Sequence, residues 1–223
     1  MWVRSPAAGL RPTPLTFDAN NMSFKYLIVV LILGSLCIGC SSRAKISKLD
    51  SSSVVIAFGD SLTHGSGADI GESYPALLSQ SIGCRVVNAG VPGEDSTDGL
   101  SRLEKILKKE RPDLVILCHG GNDMLRQQDQ DITSANLRAM ISLARDTGSD
   151  VILIGVPKPG LRLKTPDFYE DIAKEYDIPF IRDTIADVLS TPSLKSDRIH
   201  PNAEGYKRVA ESIAELIENS QRN

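Results

Sequence analysis

Val54-Val55-Ile56-Ala57-Phe58, followed at once by Gly59-Asp60-Ser61-Leu62-Thr63, sets the reading of the whole chain. Five apolar residues in a row, without alternation, describe a strand buried on both faces, as in a parallel sheet covered by helices. The pattern recurs downstream. Arg85 to Ala89 (RVVNA), Leu114 to Cys118 (LVILC), Val151 to Val156 (VILIGV) and the short Pro179 to Ile181 read as four more strands. Helical stretches lie between them. Ser73 is expected to cap a helix with Pro75 in its first turn, with Tyr74, Leu77, Leu78 and Ile82 on one face and Gly83 as its stop. Thr97 to Lys109 puts Leu100, Leu103, Ile106 and Leu107 on one stripe, with Lys105, Lys108 and Lys109 towards the negative end of the helix dipole. Ser134 to Arg145 and Pro166 to Tyr176 follow. Asn202 is expected to cap a final helix that buries Tyr206, Val209, Ala210, Ile213, Leu216 and Ile217. Strands alternating with helices require right-handed crossovers. The expected fold is therefore a three-layer α/β/α domain with a five-stranded parallel sheet in the flavodoxin-like order 2-1-3-4-5.

Composition narrows the function. The 223 residues fit one such domain. Lys and Arg number 25 against 28 Asp and Glu, so no basic surplus exists to hold a phosphate backbone, and no nucleic acid is expected as a partner. The four cysteines include one CxxC string, Cys37-Ile38-Gly39-Cys40, but it lies in the apolar N-terminal stretch and has no second pair in the chain. Neither a disulfide scaffold nor a zinc site is indicated, and no metal or cofactor is expected. Cys84 precedes the second strand and Cys118 ends the third. In the expected sheet order these lie at opposite ends of the first strand, too far apart for a disulfide.

The N-terminal region reads differently. Tyr26 to Gly39 (YLIVVLILGSLCIG) is fourteen residues without a charge, shorter than a membrane-spanning helix needs, with Lys25 before it and Cys40 after it. This resembles a bacterial lipoprotein signal, in which a small residue, here Gly39, precedes a cysteine that becomes lipidated; Cys37 stands where leucine is usual. An ordinary signal peptide and an uncleaved anchor are the alternatives. The expected division is 1–21 as an N-terminal extension, 22–39 as a signal peptide, 40–53 as a polar, Ser-rich tether and 54–223 as the domain. The lipoprotein reading implies export to the cell envelope, a membrane anchor through Cys40 and a periplasm-facing, monomeric domain.

Ligands of doubly wound sheets bind beyond the carboxyl ends of the strands, and the chain is unusual at those points. Gly59-Asp60-Ser61-Leu62-Thr63 follows the first strand, Gly90-Val91-Pro92-Gly93 the second and Gly120-Gly121-Asn122-Asp123 the third. Asp197-Arg198-Ile199-His200-Pro201 stands near the end. A serine hydroxyl needs an adjacent base to become a nucleophile, and the base needs an orienting partner. His200 can serve as base to Ser61 because an imidazole titrates near neutral pH, and Asp197 can fix its tautomer. The backbone N–H of Ser61, that of Gly93 and the side-chain amide of Asn122 are candidate oxyanion donors, with Gly90 the rival to Gly93. Asp60 and Asp123 are expected to pin loops, His119 to pack, and His64 to line the mouth. The four strings in this order resemble the SGNH or GDSL hydrolase family, from about Val54 to Ile217. The spacing from Asn88 to Gly93 and the GGND string look most like its bacterial thioesterase I/lysophospholipase/arylesterase branch. The resemblance implies a Ser61-His200-Asp197 mechanism with an oxyanion hole of Ser61, Gly93 and Asn122.

Specificity is expected from the loops. An acyl chain can lie against Met124, Leu125, Pro157 and Leu161, with Lys158 or Arg162 near an anionic head group. A solvated loop whose leucines pack on the domain is the competing reading. The expected activity is a serine esterase acting on small acyl or aryl esters, acyl thioesters or lysophospholipids. A carbohydrate or peptidoglycan O-acetylesterase and a non-catalytic envelope lipoprotein stand as alternatives.

Overall fold

The computed structural model describes residues 44–221. Val54–Gly59 forms β1, Arg85–Gly90 β2, Leu114–Cys118 β3, Asp150–Ile154 β4 and Phe180–Ile181 β5. They pair in parallel in the order β2-β1-β3-β4-β5. β1 and β3 are buried almost throughout, as their unbroken apolar runs require. Because β2 and β3 flank β1, the chain reverses its direction of travel there and opens a crevice beyond the strand ends. Gly59 pairs with both Gly90 and Cys118, so the three strands finish level. A side chain at Gly59 has no room: its Cβ would stand 2.0 Å from the Cys118 carbonyl oxygen.

Eight α-helices complete the described residues: α1 Ser61–His64, α2 Tyr74–Ile82, α3 Ser96–Glu110, α4 Gly121–Leu125, α5 Gln130–Asp146, α6 Asp167–Glu175, α7 Thr184–Ser190 and α8 Ala203–Ser220. α2 and α7 pack with α8, and α3 and α6 with α5, giving a layer on each side of the sheet. α3 begins at Ser96 because the Asp95 side chain accepts the Asp98 N–H at 3.1 Å. α5 begins a full turn before the expected Ser134, because Asp129 caps it through the Asp131 N–H. Ser73 occupies the N-cap position of α2 as expected but makes no side-chain capping bond; its hydroxyl instead donates to the Ile70 carbonyl and closes the preceding 3₁₀ turn. β4 stops at Ile154 rather than Val156, as the chain turns towards Pro157, which has no N–H for a ladder. Asn202 caps α8 as expected, accepting the Gly205 N–H at 3.0 Å.

Part of the expected tether is docked. Ile46 is 1% exposed, and its N–H donates to the Ser220 carbonyl at 2.9 Å. Ser47 N–H reaches Asp150 at the start of β4, and Val54 N–H reaches Asp113 ahead of β3. One buried isoleucine in a serine-rich run has no periodicity to announce it. Residues 1–43, with the signal stretch and Cys40, lie outside the described residues. Cys84 and Cys118 are free and buried. Cys84 adjoins the Val54 end of β1 and Cys118 pairs with its Gly59 end, roughly 16 Å away at about 3.3 Å per residue.

Candidate active site

Ser61 is the first residue of α1, and Asp60 caps the helix by accepting the Leu62 N–H at 3.0 Å. Burial pushes the Asp60 carboxyl above the usual carboxylate range, against the pull of His119 and the Leu62 N–H. The other partners of Ser61 come from 139 residues downstream. His200 Nε2 lies 3.0 Å from Ser61 Oγ, and His200 Nδ1 lies 2.8 Å from Asp197 Oδ2. Asp197 Oδ1 accepts the N–H groups of Ile199 and His200, both at 2.8 Å, so one carboxylate shapes the loop and orients the ring. Burial works to raise the Asp197 carboxyl, but the His200 ring and the two N–H donors outweigh it and hold it below its ordinary range. An ionised Asp197 keeps a proton on Nδ1 and leaves the Nε2 lone pair facing the serine hydroxyl.

The oxyanion candidates separate cleanly. The Gly90 N–H donates to Asn88 Oδ1 at 3.0 Å and is spent. Gly90 is a packing glycine: a Cβ there would stand 2.1 Å from the His64 backbone nitrogen. The N–H groups of Ser61 and Gly93 have no acceptor among the described residues. Gly93 adopts φ +78°, and its carbonyl accepts from Arg126 Nη2 at 2.7 Å while Arg126 Nη1 grips Asp95. Asn122, in α4, donates from Nδ2 to the Glu94 carbonyl at 2.9 Å, which spends one amide hydrogen and leaves the other for the site apart from a long 3.4 Å approach to Asp60. Asp123 accepts the Ser96 N–H and the hydroxyls of Ser96 and Thr133, tying α4 to α3 and α5.

Beneath this loop lies a charged support with no signal in the linear pattern, because its members sit on separate elements. Arg102 of α3 reaches both Glu94 oxygens, at 2.5 and 2.6 Å, and the Ala89 and Gly59 carbonyls at 2.8 and 3.2 Å. It also lies over the Phe58 ring, 4.1 Å from its centroid. One guanidinium thus joins the ends of β1 and β2 to the loop that holds Asn122. His119 completes the network: the Gly120 N–H donates to its Nδ1, so Nε2 carries the proton offered to Glu94, 3.2 Å away. Burial acts to raise the Glu94 carboxyl, and the hydrogen bonds from His119 and Arg102 overcome it, so Glu94 titrates below the usual range. A carboxyl depressed in the folded state contributes stability above its unfolded pKa and loses it as pH falls through the folded value. Arg102→Gln is therefore expected to cost about 3 kcal/mol at neutral pH, because it strands a buried carboxylate. The gap to wild type should narrow as pH drops below about 4. Urea unfolding from pH 7 to 3 measures it; a gap independent of pH would show that Glu94 is not the group involved.

The crevice beyond Ser61 is a groove of about 940 Å³. Leu125, Pro157 and Leu161 line it, together with Asn122 and Asp197. Met124 does not line it; it packs partly buried against the core, since α4 turns consecutive residues to different sides. His64 is likewise absent from the groove lining: its backbone abuts Gly90, and its Nδ1 is buried without a partner. Val156, Leu163, Leu189 and Ile199 add apolar wall that the sequence pattern did not reveal. Leu189 belongs to α7, which is too short to carry a readable period.

A serine beside a relayed imidazole, with free N–H groups and a side-chain amide near it, defines a serine hydrolase of the doubly wound α/β class. The pattern of the GDSL-like lipase/acylhydrolase family matches residues 57–208, and the chain belongs to that family. The arylesterase of Vibrio mimicus is 29% identical over 192 residues, covering 81% of this chain and 92% of the relative. The thioesterase 1/protease 1/lysophospholipase L1 of Escherichia coli (strain K12) is 30% identical over 172 residues, covering 74% and 83%. The crystal structure of TesA superposes with a TM-score of 0.67 at 28% identity, covering 74% of this chain and 98% of that one. The protein is a carboxylic ester hydrolase of the SGNH/GDSL type.

Proposed function

We propose that Ser61 attacks the acyl carbonyl, that His200 takes its proton and returns it to the leaving group, and that Asp197 orients the imidazole. Ser61 N–H, Gly93 N–H and Asn122 Nδ2 hold the oxyanion, and water then releases the acid from the acyl-enzyme. The observation that carries this is the Ser61–His200–Asp197 relay at 3.0 and 2.8 Å, opening into an apolar groove. Leu125, Val156, Leu161, Leu163 and Leu189 suit an acyl chain better than a sugar ring, which favours acyl and aryl esters, acyl thioesters or lysophospholipids over carbohydrate acetates. A fluorophosphonate probe is expected to label the full chain at Ser61, and p-nitrophenyl esters should be cleaved best with chains longer than acetate. Labelling of another residue overturns the assignment; a preference for acetate favours the O-acetylesterase.

The apolar Tyr26 to Gly39 stretch ending at Cys40 supports a second part of the reading: a monomer anchored through a lipid on Cys40, facing the periplasm. Cys40→Ala is expected to lose labelling by a palmitate analogue and to leave the membrane fraction. Unchanged retention would point to an uncleaved apolar anchor instead.

A further inference from the structure

The groove carries positive charge that the protein does not neutralise. Arg162 lines it from the loop after β4, and Arg198 from the loop between Asp197 and His200. Both are exposed, and neither guanidinium meets an acceptor among the described residues. Lys195 lines the same wall, its ammonium donating only to the Leu189 carbonyl, at 2.9 Å. The two carboxylates in the lining are already committed. Asp60 is 1% exposed and capped onto the Leu62 N–H, and Asp197 is held by His200 and two backbone N–H groups. This local surplus stands out on a chain whose net charge is −3.

The loop after β4 is built to hold that charge forward. Lys158 and Lys164 close it as an antiparallel bridge, with the Lys158 N–H on the Lys164 carbonyl at 3.0 Å. Pro159, Gly160, Leu161 and Arg162 form the tip, and Leu161 stands fully exposed beside Arg162. An apolar side chain and a planar cation thus sit next to each other on the groove rim. A guanidinium offers forked donors to a phosphate or carboxylate, and its weak hydration makes that exchange cheap.

Resting on the esterase reading above, we infer that the groove selects esters that carry an anionic group beside an apolar chain, with Arg162 and Arg198 as the specificity-determining residues. The anion is read by charge and geometry, so phosphate, sulfate and carboxylate share the site.

The test uses the full chain carrying Ser61→Ala, so that binding is read without turnover. Isothermal titration compares n-octyl phosphate, n-octyltrimethylammonium and inorganic phosphate at low salt. Octyl phosphate is expected to bind roughly tenfold more tightly than the cationic amphiphile, and R162Q/R198Q should remove most of that preference, as should raised salt. Equal affinity for the two amphiphiles, or a preference unchanged in the double variant, overturns the inference. Inorganic phosphate binding as tightly as octyl phosphate also overturns it, because the chain would then play no part. Hydrolysis of neutral p-nitrophenyl butyrate by the wild-type protein, measured alongside, reports on the esterase reading alone.

Discussion

Replacing Ser61 by alanine is expected to lower kcat for p-nitrophenyl butyrate by on the order of 10⁶-fold, with the unfolding midpoint almost unchanged. His200→Ala should cost about as much, and the double variant no more than either single one. The reason is that the two groups act as one unit: the hydroxyl is a weak nucleophile until the imidazole 3.0 Å away removes its proton. Removing either leaves only binding and the oxyanion donors, which sustain on the order of 10³–10⁴-fold over water. Steady-state kinetics and fluorophosphonate labelling of the three variants check this. Losses of only a few-fold, or additive losses in the double variant, would place the nucleophile elsewhere.

Asp197→Asn is expected to lower kcat by about 10⁴-fold with little change in KM. The asparagine oxygen can still accept the Ile199 and His200 N–H groups, so the loop keeps its shape. The amide nitrogen, however, donates where the carboxylate accepted. It drives the ring proton from Nδ1 to Nε2, where it points at Ser61 and blocks proton removal. The variant should therefore retain stability and substrate affinity while losing turnover. A parallel rise in KM would mean that the loop had moved and that the effect was one of shape. In the wild type the His200 ring and the two backbone N–H donors hold the Asp197 carboxyl below the ordinary carboxylate range, so its charge is kept as the solution is acidified towards that range.

The fold was legible because its signals are local. The runs VVIAF, LVILC and VILIGV are strands by composition alone, and the chain order of strands and helices then leaves few topologies. Ser61, Asn122 and His200 were legible for a related reason: each stands just past a strand or in the final loop, where the sheet delivers side chains to one crevice. What escaped were contacts made in three dimensions. Arg102 reads as one more charge on an amphipathic helix, and only the fold brings it to Glu94, Ala89 and Gly59 together. The short helices α1, α4 and α7 have fewer than two turns or barely that many, so hydrophobic periodicity cannot mark them. Met124 was misplaced for the same reason, since its direction depends on whether α4 exists. In the sequence, spacing alone favours Gly93 over Gly90, and the fold adds a chemical difference, since the Gly90 N–H donates to Asn88.

The docked segment around Ile46 fixes the side from which the chain enters the domain. The chain joins the body beside Asp150 and Asp113, beneath the amino ends of the strands, whereas the groove opens beyond their carboxyl ends. The first described residues of the chain therefore enter the domain at the pole opposite the catalytic mouth, so whatever precedes them is fed in from the side away from the substrate.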